Sequence, residues 1–246
     1  IDTGDTLASN SSHPRRVQRM FDRIAKRYDT FNTVASFGRD EAWRQLAVQL
    51  AAPDPISRAL DAASGTGKLA AALAAKADHV TALDFSNAML LRSKQLFEIQ
   101  GLCEKVSPLQ GDVLTLPFSD NTFDCATIGF GLRNLDNIFA GLTEFRRVLK
   151  PDGRLVVLDI VMPTNIVSKA IFYIGFRSML PLVGWALSGN RAAYQYLPDS
   201  VQTYLTPPEL AAMMKKAGFS EVGYRQLFLG SIAIHWGRVD PSSRNV

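Results

Sequence analysis

Three carboxylates punctuate the first half of the chain, Asp61, Asp84 and Asp112, each at or near the end of an apolar run. Between the first two lies the turn Gly65-Thr66-Gly67. Its glycines let the backbone bend sharply and approach a ligand closely. An ionised carboxylate has two acceptor oxygens, so Asp84 is suited to receive both hydroxyls of a ribose. Asp112 can accept from an adenine amino group; the alternative reading is a turn-forming Asp. Together these residues read as a site for a nucleoside-bearing cofactor at the carboxyl edge of a parallel sheet.

Gly65-x-Gly67-x-x-Ala70 formally meets the dinucleotide fingerprint, with Asp84 placed as its ribose acid. A phosphate-cradling Walker loop is excluded: Ala62 stands where Gly is needed, and Leu69 follows Lys68 where Ser or Thr should be. Asp61 discriminates between the remaining choices. A carboxylate four residues before Gly65 would repel a pyrophosphate but suit an ammonium and a sulfonium. The charge pattern therefore favours S-adenosylmethionine over a nicotinamide dinucleotide.

The elements that must carry these residues alternate. Strands are predicted at 58–62, 79–84, 106–112, 123–128 and 154–160, and helices at 68–77, 87–100 and 138–149. That alternation predicts a doubly wound parallel sheet, with Pro151-Asp152-Gly153 as the turn that launches the fifth strand. Near the end, a helix at 211–217 and two strands, 221–229 and 232–238, predict a closing antiparallel hairpin. The expected fold is thus α/β, a Rossmann-like class I methyltransferase with a seven-stranded, mostly parallel sheet. Residues 1–13 are expected to be loose and 14–246 to form one domain. Helices at 14–27 and 39–52, joined by Asp29-Thr30-Phe31-Asn32, and an insertion at 161–205 are expected to form lids.

A hydrophobic fraction of 47% in 246 residues is ample for a sizeable core. The most apolar region, 160–187, is broken by Pro163, Lys169, Arg177 and Pro181, so it lacks the run of about 18 uncharged apolar residues that a membrane span needs. Cys103 and Cys125 are isolated. No metal site is expected, and the pair fits a reducing, cytoplasmic setting. The net charge is +4, with Arg15, Arg16, Arg19, Arg23, Lys26 and Arg27 crowding one amphipathic helix. Its basic face is either simply solvated or attracted to anionic lipid headgroups at the inner membrane face. No basic-and-aromatic cluster recurs elsewhere, which argues against nucleic acid.

Several segments resemble one family, the C-methyltransferases of ubiquinone and menaquinone biosynthesis. They are Phe21-Asp22-x-Ile24-Ala25-x-x-Tyr28-Asp29, Ser36-Phe37-Gly38 with Trp43-Arg44, and Leu116-Pro117-Phe118 with 120–124. To these are added Phe130-Gly131-Leu132-Arg133-Asn134, Arg147–Leu155 and Tyr194-x-Tyr196-Leu197. The chain departs from the family's usual residues at Ser64, Lys68, Asp40 and Asp159, where Gly, an acid, His and Glu are common. The resemblance implies S-adenosylmethionine as cofactor, S-adenosylhomocysteine as product, and a prenylated quinol as substrate. It implies a cofactor site of Tyr28, Asp61, Ser64, Gly65, Gly67, Asp84, Phe85, Met89, Asp112, Val113 and Gly129. Phe37, Arg133, Tyr194 and Tyr196 are implied on the substrate side, and a homodimer is compatible with it.

Methylating a ring carbon needs an electron-rich ring, hence a phenolate, although a free phenol has a pKa of about 10. Arg133 is expected to stabilise that phenolate as a fixed cation, beside Asn134, with water or Asp159 taking the proton. Asn134 can equally be a helix cap. Tyr194 and Tyr196 either hydrogen-bond the quinol oxygens or pack the lid, and 166–187 is either lid core or a channel for the prenyl tail. Rival readings are methylation of oxygen or nitrogen on another apolar molecule, a non-catalytic scaffold subunit, and a nicotinamide oxidoreductase.

Overall fold

The computed structural model describes residues 20, 22, 25, 27–174 and 200–240. The basic helix predicted at 14–27, apart from those few positions, and Tyr194 and Tyr196 lie outside the described residues.

Two helices open the described chain, α1 (Tyr28–Ala35) and α2 (Asp40–Ala51). Alternation then begins: β1 (Ile56–Ala62), α3 (Lys68–Leu73), β2 (Ala77–Asp84), α4 (Asn87–Ile99), β3 (Val106–Gln110), β4 (Phe123–Gly129), α5 (Ile138–Val148) and β5 (Leu149–Ile160). After α6 (Ile166–Ile174) come α7 (Pro207–Lys216), β6 (Phe219–Leu227) and β7 (Ile232–Val239). The seven strands lie in the order β3-β2-β1-β4-β5-β7-β6. Pairs from β3 through β5 are parallel, and β7 runs antiparallel to both β5 and β6. The sheet expected from the sequence is the sheet observed.

Both faces of the sheet are covered, so its strands are apolar on both sides. Leu60, Ala62, Leu155 and Val157 pack with Leu142, Phe145 and Met214 on one face. Ala59, Val156 and Leu158 pack with Trp43, Ala47, Leu73 and Phe97 on the other. Leu60, Leu142 and Phe145 are wholly buried, each worth about 1.5–3 kcal/mol relative to exposure. Strand order reverses between β1 and β4, which flank each other at the centre. Ligands bind in the crevice outside the carboxyl ends at such a point.

Several boundaries differ from expectation, and four of them have a specific physical reason. Residues 29–32 are helical rather than a link, because Phe31 buries itself at 3% exposure while Asp29 sits favourably in the first turn. The helix stops where Gly38, at φ +73°, donates its N–H to the Thr33 carbonyl at 2.8 Å. α3 ends at Leu73 instead of Ala77, because Ala77 is recruited to pair with Ile56. β5 begins at Leu149, opposite Phe123, and the Pro151–Gly153 turn is an irregularity inside it before Arg154 meets Cys125. α7 begins at Pro207 rather than Ala211. Pro suits the first helical turn, and the preceding Thr206 N–H donates to Glu209 Oε2 at 2.8 Å.

Candidate active site

The turn after β1 brings two glycines into left-handed backbone conformation, Gly65 at φ +56° and Gly67 at φ +83°. Their reasons differ. A Cβ on Gly67 would lie 2.6 Å from Phe97 Cζ and 2.8 Å from Ser93 Cβ, so this glycine lets the turn pack against α4. No protein atom lies within 4 Å of a Cβ on Gly65. The space beside Gly65 is open to a ligand.

Asp84, the last residue of β2, ties that turn down. Its Oδ2 accepts from Gly65 N–H at 2.8 Å, and its Oδ1 accepts from Ser86 N–H at 2.8 Å. Burial raises its pKa, and these two amides oppose the rise. Each oxygen keeps a further lone pair, and the side chain borders a cleft of about 800 Å³. The cleft is also lined by Tyr28, Gly65, Phe85, Met89, Asp112, Val113, Gly129 and Asn134. All of these are residues expected at the site. Asp112 lies two residues beyond β3 rather than ending it, with Oδ1 accepting from Leu114 N–H at 2.9 Å.

A second, smaller cavity of about 430 Å³ adjoins the first, sharing Tyr28, Ala63, Gly65, Gly129 and Phe130. Its remaining wall is polar and charged, with Asp29, Arg44, Ser64, Thr66 and Lys68. The Ser64 hydroxyl oxygen is buried and has no hydrogen-bond partner. The larger part of the combined space is thus mostly apolar with a few carboxylates, Asp84 and Asp112 among them, and the smaller part carries charges of both signs.

Asp61 lines neither cavity. It is fully buried and turned towards β4, where Thr127 Oγ1 donates to its Oδ1 at 2.8 Å. Burial first of all pushes its pKa up to about 7, against the opposing Thr127 bond. The expectation of a carboxylate facing the ligand is corrected to a carboxyl beneath the turn. Its Oδ2 has no hydrogen-bond partner. Gly67 likewise stands behind the cavity rather than on it.

Arg133 and Asp159 also lie behind the cavity wall, as a buried ion pair with side chains 4% and 2% exposed. Arg133 Nη1 contacts Asp159 Oδ1, and the Arg133 N–H donates to Oδ2 at 3.2 Å. Ile160 N–H donates to Oδ1 at 2.8 Å. Burial raises the Asp159 pKa, and the guanidinium opposes this. Both carboxylate oxygens are engaged internally, which removes Asp159 as a base in direct reach of the cleft. Arg133 Nη1 also donates to the Phe130 carbonyl at 2.6 Å. Asn134 Nδ2 donates to the same oxygen at 3.3 Å. Phe130 is held at φ +58°, an unfavourable conformation for a residue with a Cβ.

Two further expectations change. Asn134 is not the cap of the following helix; Asn137 is, through Oδ1 accepting from Ala140 N–H at 3.0 Å. Phe37 is 74% exposed and packs against Phe228 rather than lining either cavity. Its φ of +53°, at the exit from α1, turns the ring outward. Residues that sequence reasoning missed include Gly111, Leu114, Leu135 and Asp136 on the cleft. They follow strands or 3-10 turns, and apart from Asp136 they carry no chemical signature. Tyr204 was also missed; its buried hydroxyl lies in the fields of Asp159 and Arg133, and burial raises its pKa well above the usual value.

The ubiE/COQ5 methyltransferase family model matches residues 9–239. The chain belongs to that family. A demethylmenaquinone methyltransferase of Thermus thermophilus is 44% identical over 220 residues, covering 89% of this chain and 99% of the relative. The ubiquinone/menaquinone biosynthesis C-methyltransferase UbiE of Desulfotalea psychrophila is 40% identical over 223 residues, covering 90% of this chain and 89% of that one. Among solved structures, a possible histamine N-methyltransferase of Thermotoga maritima superposes with TM-score 0.64 at 19% identity, over 90% of this chain and 99% of that one. A methyltransferase of Aquifex aeolicus described as SAM-dependent gives TM-score 0.57 at 20% identity, over 86% and 97%. At such identities the likeness carries the fold alone. This ubiE/COQ5 family member is a methyltransferase. Among its described residues no group of His, Cys, Asp and Glu could hold a metal ion, and no helix is long and apolar enough to cross a membrane.

Proposed function

We propose that the protein transfers a methyl group from S-adenosylmethionine to a ring carbon of a prenylated quinol, demethylmenaquinol-like or methoxy-benzoquinol-like. The observation that carries this reading is the continuous cleft with Asp84 at one wall and the Phe130–Asn134 turn at the other. The substrate class is supported by relatives named for demethylmenaquinone and for ubiquinone and menaquinone biosynthesis.

The cofactor fits the residues present. Asp84 retains lone pairs for the ribose, Phe85, Met89 and Val113 give an apolar bed for adenine, and Gly65 leaves backbone room. When bound, the cofactor supplies an electrophilic methyl on sulfur and departs as S-adenosylhomocysteine. The chain's own task is to hold the ring and favour its phenolate. Burial raises the Tyr28 pKa, so its hydroxyl stays protonated and serves as a hydrogen-bond donor to a ring oxygen. Asn134 is the second polar group on that wall. Arg133 acts from behind them as a positioning residue, fixing the Phe130 carbonyl and adding positive potential. With Asp159 engaged, the phenol proton leaves to water; after methyl transfer the hydrogen on the methylated ring carbon leaves as a proton and the ring oxygen is reprotonated, which restores the aromatic quinol.

α1 and α2 serve as the N-terminal lid; of the second lid expected at 161–205, residues 175–199 lie outside the described residues. α6 exposes Ile166 and Ile174 at 82% and 68%, an apolar surface suited to the prenyl tail or to a bilayer from which it comes. A titration with S-adenosylhomocysteine and with NADH tests the cofactor assignment. Binding of the first alone is expected, and binding of NADH alone would overturn the reading.

A further inference from the structure

Lys68 and Asp29 sit side by side on the wall of the smaller cavity, with Nζ 3.6 Å from Oδ1 and side chains 31% and 40% exposed. At that separation the two are an ion pair without a hydrogen bond, so the ammonium keeps its donors for another acceptor. Asp29 Oδ1 already accepts from the Thr66 hydroxyl at 2.8 Å, which fixes the carboxylate beside the glycine turn. Arg44, the other cation on this wall, is spent differently. Its Nη2 lies 2.6 Å from Asp40 Oδ2 and its Nε 3.2 Å from Glu41 Oε2, with the side chain 9% exposed. The Ser64 hydroxyl oxygen, on the same wall, is buried without a partner. The cavity thus presents one available cation, one anchored anion and one unsatisfied hydroxyl.

A free α-amino acid end has the complementary arrangement, a carboxylate and an ammonium on one carbon. The cavity lies on the far side of Gly65 and Phe130 from the Asp84 cleft, so a ligand with its ribose at Asp84 can reach it past the glycine turn. We propose that Lys68 receives the cofactor's methionyl carboxylate and Asp29 its ammonium, with Ser64 completing the carboxylate's hydrogen bonds. This rests on the S-adenosylmethionine reading above. Because Asp29 belongs to α1 and Lys68 opens α3, the amino-acid end would bridge the N-terminal helices to the sheet. Lys68 thereby contributes to cofactor affinity through one end of the ligand only.

Calorimetric titration of S-adenosylhomocysteine and of 5′-methylthioadenosine, which lacks the amino-acid end, into wild type, Lys68→Met and Asp29→Asn tests this. Loss of one charge-assisted hydrogen bond is expected to weaken S-adenosylhomocysteine about ten- to a hundredfold in each variant. Methylthioadenosine should bind all three proteins within about twofold, which also shows that the variants are folded. Unchanged S-adenosylhomocysteine affinity, or equal loss for both ligands, would overturn the assignment. Wild type that binds neither ligand would overturn the cofactor reading itself.

Discussion

The carboxylate of Asp84 and the amide of Gly65 are joined at 2.8 Å, which locks the end of β2 to the turn after β1. The bond sets the height of the glycine turn above the sheet and leaves the carboxylate's outer lone pairs facing the cleft. Asp84→Ala removes the ribose acceptor and strands the Gly65 and Ser86 amides. A hydrogen bond to a charged group is worth about 1.5–3 kcal/mol, so S-adenosylhomocysteine affinity should fall at least tenfold. Calorimetry on the variant checks this, and unchanged affinity would remove Asp84 from the ribose site.

The role proposed for Arg133 is exerted through what it holds. Arg133→Lys keeps the positive charge but shortens the side chain, whose Nη1 alone reaches both Asp159 Oδ1 and the Phe130 carbonyl. Turnover should drop more than about tenfold, while S-adenosylhomocysteine affinity stays within about threefold, as expected of one lost charge-assisted contact outside the cofactor site. Arg133→Ala is the poorer test. Leaving Asp159 buried without its partner should cost about 3–5 kcal/mol of stability, visible as a lowered urea midpoint.

The two glycines of the turn should respond differently to alanine. At Gly67 a Cβ meets Phe97 and Ser93 below 3.0 Å, in a backbone conformation that already disfavours side chains. Gly67→Ala should therefore lose more than about 2 kcal/mol. Gly65→Ala has open space and should lose only the backbone strain, about 1–2 kcal/mol. Equal losses in urea unfolding would contradict the distinction between a packing glycine and a ligand-facing one.

Much of this was legible in the residues. Asp84, the glycine turn and the alternation of apolar runs announce themselves through local pattern, and Asp112 was found although it lies two residues beyond its strand. Asp61 was misplaced because a strand's period fixes which face a side chain takes only when the register is known. Thr127 lies on β4, sixty-six positions away, and no local signal links the two. Phe37 falls outside both cavities for a related reason: its ring meets Phe228, far along the chain, and no local signal links the two. The Arg133–Asp159 pair joins residues on separate elements, so two expected site residues turned out to satisfy each other.

Asp61 gives the fold a pH signature. Its pKa rises from 3.8 to about 7 on folding, so the folded state holds a proton that the unfolded state releases between those values. The stabilisation is complete below about pH 4 and is lost as pH rises through about 7, by at most about 1.4 kcal/mol per unit. Asp61→Asn keeps an acceptor for Thr127 and cannot ionise. Its stability relative to wild type should increase from pH 5 to pH 8 in urea titrations, and a constant difference would show that Asp61 does not titrate in this window.

The most direct test follows the methyl group itself. S-adenosylmethionine carrying a ¹³C-labelled methyl is incubated with the protein and a chemically reduced demethyl prenylquinol, and the product is examined by carbon NMR and mass spectrometry. The account predicts one labelled methyl on a ring carbon, formed from the quinol and lost when the ring is kept oxidised. Label on an oxygen, or no transfer from a protein that binds S-adenosylhomocysteine tightly, would contradict it.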